Sequence, residues 1–392
     1  MFLLKYHFHD IRFLFCFWIQ TRLSSFCWSF LDCFFRYFNL VERKLGYFKG
    51  SLKMTCRVAI VGLGMVAGLH AQAVNSLDGF EVYGVFSRDY LKTKDFAKSF
   101  TANAIAFKNF SDLCTDKNVD LVLLLTPPNA RLDYVKALTK VGKPLIVEKP
   151  LERDFERARN IVEQGKIHNM PIGIFLQHRK RPSIEALKKL LDEKRLGNVA
   201  TVEVRIPWWR EQDYYDQDGR GTLSRDGGGV LITQAIHTLD IMLLLCGPVK
   251  EVQGMIHTSS LHKLEAEDFA GALLNFKSGA RGTLMASTTH FPGSKEEIIL
   301  NCSKATVNIS GDDLKIFYHD GKLERLESSS QTGSGSDPMD FGHGWHASVL
   351  DDFWSEFTNK QKIQISAESA LPVHELIDTI INSSKLGKKV II

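Results

Sequence analysis

Residues 57–61 (RVAIV) are a short, β-branched apolar run that stops at Gly62, and Gly62-Leu63-Gly64-Met65-Val66-Ala67 leads directly into a helical stretch over 65–77. A buried strand that ends in G-x-G-x-x-A and passes straight into a helix leaves few folds open. Gly62 permits the tight turn, Gly64 lets the backbone come close to a pyrophosphate, and Ala67 keeps the helix near the sheet. The N–H groups at the helix start, with the positive end of its dipole, favour a phosphate. Six such residues alone also fit a tight turn with no ligand. The rest of the chain decides between the two.

Behind this turn the pattern repeats. Strand-like runs at 81–86, 119–125 (VDLVLLL), 144–147 and 171–175 alternate with helical stretches at 91–100, 131–141 and 152–168. Near-continuous apolar strands separated by helices indicate βαβ units and a parallel sheet covered on both faces. After about residue 175 the rhythm changes. A helix at 183–194, a strand at 199–206 and a polar, aromatic, Gly-rich stretch at 207–229 precede a mostly apolar helix at 230–245. Six strand-like segments follow at hairpin spacing: 249–257, 268–276, 280–288, 295–301, 304–310 and 313–318. Residues 328–338 (SSSQTGSGSDP) read as a loop, and helices near 345–358 and 367–385 close the chain. The expected fold class is α/β. A doubly wound parallel sheet occupies 54–172, and an α+β domain with an open, largely antiparallel sheet occupies 173–392.

Composition excludes several functions. The 392 residues carry 49 Lys+Arg against 45 Asp+Glu, a net charge of +4, too small for a nucleic-acid footprint. The surplus lies in residues 1–53, which also hold 11 of the 26 Phe together with Cys16, Cys27 and Cys33. A membrane span needs about 18 or more apolar residues with few charges; here Arg12, Arg22, Asp32 and Arg36 interrupt the run. The expectation is that the fold starts near Met54 and that residues 1–53 are not part of it. A targeting or interfacial segment is the other reading. Cys56, Cys114, Cys246 and Cys302 stand singly, with no C-x-x-C pair. That argues against a zinc knuckle or a disulfide framework and for a reducing, cytoplasmic setting.

The carboxyl ends of the parallel strands carry the chemistry, because open α/β sheets bind ligands there. The second strand ends Phe86-Ser87-Arg88-Asp89. An acidic residue at that point takes the ribose 2′-OH of NAD, whereas a nearby arginine accommodates the 2′-phosphate of NADP. Ser87 stands where the acid is expected and Arg88 can fork around a phosphate. The cofactor expectation is therefore NAD or NADP, with a lean to NADP. Asp89 serves the ribose if the register slips, and Arg88 covering the adenine face is the alternative. Thr126-Pro127-Pro128-Asn129 and Glu148-Lys149-Pro150 lie at the same sheet edge. A lysine buried beside a nicotinamide cation has its ammonium disfavoured and its pKa lowered, fit for proton exchange near neutral pH. The third group is Asp226-Gly227-Gly228-Gly229, then a helix on which Thr233, His237 and Asp240 fall at i, i+4 and i+7. A histidine on an apolar helix is commonly a core residue; the lysine and the nucleotide turn favour a reacting group. With no H-x-x-x-H and no neighbouring carboxylate pair, no metal is expected.

In combination, GLGMVA (62–67), LTPPNA (125–130), VEKPL (147–151), FLQHRKRP (175–182), DGGGVLITQAIHTLD (226–240) and EDFAGALLNF (267–276) resemble the glucose–fructose oxidoreductase / inositol dehydrogenase / rhizopine-catabolism (Gfo/Idh/MocA) family, across roughly residues 55–390. The resemblance implies a Rossmann domain followed by an open-sheet substrate and oligomerisation domain. It implies hydride transfer between NAD(P) and a hydroxyl or keto carbon of a sugar, cyclitol or nucleotide-sugar. Lys149 and His237 become the acid/base or substrate-orienting residues. The implied cofactor set is Gly62, Gly64, Met65, Ala67, Ser87, Arg88, Thr126, Pro127, Asn129, Glu148 and Lys149. The implied substrate set is Arg179, Tyr215, Arg220, Thr233, Gln234 and His237.

Two positions depart from the family pattern. Thr233 stands where members often carry Asp, four residues before the histidine, and Arg131 stands where many carry His. With no charge at 233, Lys149 is expected to carry more of the proton transfer. The stretch Trp208-Trp209-Arg210-Glu211-Gln212-Asp213-Tyr214-Tyr215, then Gly219-Arg220-Gly221-Thr222, resembles members that act on UDP-linked amino sugars or their uronic acids. On that reading the aromatics stack on a sugar or base, and Arg179, Arg210 and Arg220 bind carboxylate or phosphate. Trp208 and Trp209 lining a subunit interface is the alternative. Two other functional readings stand beside the dehydrogenase: a redox-neutral lyase or hydrolase that regenerates its cofactor, and a non-catalytic nucleotide-binding regulator. An open antiparallel sheet face implies a homodimer or homotetramer.

Overall fold

Cys56–Val61 (β1), Phe80–Phe86 (β2), Ile105–Ala106 (β3), Leu121–Leu124 (β4), Leu145–Val147 (β5) and Ile172–Ile174 (β6) form a parallel sheet in the order β3-β2-β1-β4-β5-β6. The structure is a computed structural model that describes residues 55–100, 104–327 and 342–392. The readings for residues 1–53 and for the 328–338 loop lie outside those residues. Every residue of β4, β5 and β6 is buried, as a sheet between two helix layers requires. Those layers come from Ala67–Asn75 (α1), Tyr90–Phe100 (α2), Phe110–Thr115 (α3), Arg131–Lys140 (α4) and Phe155–Ile167 (α5). The chain winds outward from β1 in both directions, so the ends of β1 and β4 open a crevice at the switch point. Neither β3 nor α3 is expected from the sequence. At two and six residues, they are too short to show a period.

After Pro182–Asp192 (α6), the second sheet is laid down by Val199–Pro207 (β7), Val249–His257 (β8), Phe269–Phe276 (β9), Arg281–Ser287 (β10), Glu297–Cys302 (β11), Ala305–Ser310 (β12), Asp313–Tyr318 (β13), Leu323–Leu326 (β14) and Val390–Ile391 (β15). Its order is β14-β13-β12-β11-β7-β10-β9-β8-β15. β7 pairs with β10 in parallel, and the other pairings are antiparallel. Burial alternates along β11 and β12, so one face meets the core and the other stays open. The buried face packs against Ile236–Cys246 (α8) and Leu371–Leu386 (α10). Leu239, Met242, Leu376 and Ile380 from these helices share a core with Val204, Leu274, Leu284 and Val307. Gln212–Tyr215 (α7) is a single turn in the loop between β7 and α8.

The C-terminal part then returns to the first sheet. From Gly344–Thr358 (α9), Val349, Leu350 and Phe353 pack with Ile60, Leu123, Ile146 and Phe175. The Ile174 amide donates to the Ile365 carbonyl at 3.1 Å, and Gly173 leaves room for Phe353, which an added Cβ would meet at 2.7 Å. Helix α9, from the C-terminal part, thus helps to cover β1–β6. Among the described residues, no helix is long and apolar enough to cross a membrane.

Candidate active site

A cleft of about 1020 Å³ runs from the end of β2, past the glycine turn, to the start of α8. At its floor, Gly62 adopts a positive φ of 99° and its amide donates to the Phe86 carbonyl at 2.9 Å. A Cβ there would lie 2.8 Å from the Thr126 nitrogen, so the turn depends on glycine. A Cβ on Gly64 meets nothing within 4 Å. Met65 is exposed beside it, and Ala67 is fully buried beneath. The Thr126 hydroxyl is buried without a partner on the facing strand end. An open turn opposite an unpartnered hydroxyl fits a dinucleotide.

Ser87, Arg88, Asp89 and Lys92 line the cleft at the end of β2. Ser87 donates its hydroxyl to the Asp89 carbonyl at 2.8 Å. The Asp89 carboxylate accepts the Lys92 amide at 3.1 Å, holding the first turn of α2. Its carboxylate is therefore engaged with the helix start, while Arg88 is exposed at the rim.

The turns after β4 and β5 are tied together from below. Arg131, 2% exposed, donates to the Thr126 carbonyl at 2.9 Å and to the carbonyls of Pro150 and Leu151. Burial lowers its guanidinium to about 10. Glu148 meets the His70 ring at 3.1 Å. Burial alone would raise that carboxyl, but the His70 bond and the charge of Lys149 outweigh it and bring it below its ordinary value. Lys149 donates its Nζ to the Thr233 carbonyl at 3.1 Å. Burial, then the positive charges of Arg220, Arg131 and Arg210, lower its pKa against the opposing pull of Glu148.

Thr233 and Gln234 lie in a π-helical turn, Leu231–Ala235, that runs into α8. Such turns are frequent at functional sites. His237, the second residue of α8, is 5% exposed and stacks on His178, centroids 4.2 Å apart. Burial, then the charges of Lys149 and Arg181, hold its imidazole well below the usual range and hence neutral. Thr233, Gln234, His237, Lys149 and the glycine turn thus line one cleft.

Two expected substrate residues are elsewhere. Arg179 does not line the cleft: it makes a bidentate pair with Asp240 at 2.7 and 2.6 Å and also bonds Ser369. The tight turn Gln177–Lys180 sends His178 toward His237 and Arg179 toward Asp240. Tyr215 is buried with its hydroxyl 2.7 Å from Thr288, and Tyr214 lines the cleft instead, 3.4 Å from Gln234. Neighbours on a single helical turn point about 100° apart. Arg220 does line the cleft, but at its cofactor side: it reaches the Met65 sulfur at 3.9 Å and lies over the Tyr214 ring at 5.2 Å. Arg210 sits between the Trp208 and Tyr214 rings, and Trp209 packs on Phe291 outside the cleft.

Sequence reasoning missed His70, His178, Arg181, Trp345 and His346. His178 lies within FLQHRKRP, where only the next residue was singled out. Trp345 and His346 start α9, far along the chain, with no local pattern to mark them. His70, Glu148 and His346 have ligand atoms within 4.8 Å of one another, a buried donor set that could hold a metal ion. They come from α1, the end of β5 and α9, so no sequence spacing announces them. Lys149 and Arg131 beside Glu148 add positive charge against a cation there.

A glycine turn, a lysine at the sheet edge and a histidine-bearing helix in one cleft define a dinucleotide-dependent oxidoreductase. The chain belongs to the Gfo/Idh/MocA family: residues 56–172 match its oxidoreductase domain with an NAD-binding Rossmann fold, and residues 184–308 match its C-terminal domain. An uncharacterized oxidoreductase of Schizosaccharomyces pombe is 24% identical over 301 residues, 74% of this chain and 76% of the relative. A myo-inositol 2-dehydrogenase of Thermotoga maritima is 24% identical over 257 residues, 64% and 74% of the two chains. The fold is similar to that of the WlbA dehydrogenase of Bordetella pertussis solved with NADH and UDP-GlcNAcA, with a TM-score of 0.73, 22% identity, and 86% and 99% of the chains covered. A levoglucosan dehydrogenase solved with NADH and levoglucosan superimposes with a TM-score of 0.74 at 18% identity, covering 86% and 98%.

Proposed function

We propose that the protein transfers hydride between a nicotinamide dinucleotide and the hydroxyl or keto carbon of a sugar, cyclitol or nucleotide-sugar. The Lys149–Thr233 hydrogen bond carries this reading, because it brings the strand-end lysine to within one helical turn of His237. When bound, the dinucleotide supplies the hydride acceptor or donor. Lys149, its ammonium disfavoured by burial, takes the hydroxyl proton in oxidation and returns it in reduction. Neutral His237 orients the same oxygen. Trp208, Arg210 and Tyr214 also line the cleft, where aromatic faces and a guanidinium suit a sugar or an anionic substituent. The relatives named for myo-inositol and solved with UDP-GlcNAcA support a ligand of this class.

The preferred cofactor is NADP. Arg88 and Lys92 line the cleft beside the end of β2, and the carboxylate next to them, Asp89, accepts the Lys92 amide at the start of α2. The test is a fluorescence titration of NADH and NADPH, with turnover on free sugars, cyclitols and UDP-sugars followed at 340 nm. Lys149→Met should abolish turnover and leave dinucleotide affinity within about twofold; normal turnover removes the lysine from the mechanism. Arg88→Ala should weaken NADPH about tenfold or more and leave NADH unchanged. With Lys149 as base, oxidation should gain rate as pH rises through a value below the ordinary lysine range. The open face exposes Met255 and Leu273 on adjacent strands, which supports a homodimer or homotetramer, to be read by light scattering. Cys56, Cys114, Cys246 and Cys302 are buried and free, which supports a reducing, cytoplasmic setting.

A further inference from the structure

The turn after β6 brings a second histidine into the cleft. The His178 and His237 rings lie 4.2 Å apart and 21° from parallel, and Trp345 meets the His178 ring at 5.9 Å with its plane nearly perpendicular. A guanidinium nitrogen of Arg181 lies 3.2 Å from His178 Nε2. A guanidinium has donors and no acceptor. His178 Nε2 must therefore present its lone pair, and the proton of the neutral ring sits on Nδ1. Arg181 is fixed in that role by Glu296 at 2.8 Å, Asp312 at 3.1 Å and the Gly311 carbonyl at 3.2 Å, with Trp345 under its guanidinium.

The Nδ1 of His178 is buried and meets no acceptor, and the Nδ1 of His237 is likewise without a partner. Near-parallel stacking prevents an in-plane hydrogen bond between the two rings. Both residues line the cleft. We propose that His178 is a substrate-contacting residue whose Nδ1–H donates to an oxygen of the sugar and whose ring face holds His237 in place. The proposal rests on the reading of Lys149 and His237 as the reacting pair. It also accounts for the absence of an acid at position 233. Thr233 turns its hydroxyl to the Gly229 carbonyl at 2.6 Å, so His237 is oriented not from its own helix but from the Asp312–Arg181–His178 chain.

Two measurements test this. In protein labelled with ¹⁵N-histidine and saturated with NADPH, the His178 signals, assigned by their loss in His178→Asn, should be those of the Nδ1–H tautomer; the Nε2–H tautomer overturns the proposal. Turnover is then compared on whichever of myo-inositol, glucose and UDP-N-acetylglucosamine reacts fastest. His178→Phe keeps the stack without the donor, and should lower kcat/KM about 100-fold with dinucleotide affinity unchanged. His178→Asn places an amide N–H near Nδ1 and should recover about tenfold over the Phe variant. A Phe variant equal to wild type, or an Asn variant no better than Phe, overturns the proposal. Lys149→Met separates the two failures: normal turnover there removes the reacting-pair reading, while the tautomer result judges His178 by itself.

Discussion

Two glycine turns launch helices into the same cleft, and they use glycine for opposite reasons. At Gly64 an added Cβ would meet nothing within 4 Å, because the turn lines the open cleft. At Gly229 an added Cβ would lie 1.7 Å from the Glu267 carbonyl oxygen, because the space is already filled by the chain itself. The helix start at 229–231 has its anion built in: the Glu267 carboxyl accepts the amides of Gly229 and Leu231, each at 3.1 Å. Burial pushes that carboxyl above its ordinary range, against the pull of those two amides. One turn lies open on the cleft, and the other gives its N–H groups to the Glu267 side chain just before β9. A glycine-rich turn before a helix therefore marks an anion at a helix N-terminus, without saying whether the anion is ligand or protein.

Three substitutions sharpen that contrast. Gly229→Ala forces backbone against backbone and should cost more than about 4 kcal/mol or prevent folding, seen as lost soluble yield or a collapsed melting temperature; a normal melt would mean the turn has room the geometry denies. Glu267→Gln keeps the shape and one acceptor oxygen but turns its amide NH2 toward one of the two N–H groups, and should cost about 1–3 kcal/mol in denaturant unfolding. Its dinucleotide affinity should stay close to wild type. Gly64→Ala should change stability by no more than about 0.5 kcal/mol, while NADPH affinity falls about tenfold or more by fluorescence titration. If Gly64→Ala unfolds the protein or binds normally, the two turns are not different in kind.

The strands and helices that carry the site were legible because their signals are local. Apolar runs of β1, β4 and β5 end in Gly62, Thr126-Pro127 and Glu148-Lys149, and the hairpin segments from 249 to 318 match β8 to β13 closely. β14 and β15, at four and two residues, gave no period to read. Gly62, Lys149 and His237, each read from the sequence at a helix start or strand end, line one cleft. Arg179 and Tyr215 do not line the cleft, because a one-residue shift on a tight turn changes which neighbour a side chain meets. Arg179 was met by Asp240, and Tyr215 by Thr288. His70, His178 and His346 meet only through tertiary packing, with His70 edge-on to His346 at 4.9 Å. No window along the chain contains that meeting.

The return of α9 onto the first sheet has a consequence for how the protein is made. The apolar surface over Ile60, Leu123, Ile146 and Phe175 waits for Val349, Leu350 and Phe353. About 170 residues separate the end of β6 from the start of α9. At roughly 5–20 residues per second, synthesis leaves that surface without its cover for ~10–35 s. During that interval, the nascent nucleotide-binding half is a natural client for a chaperone at the ribosome.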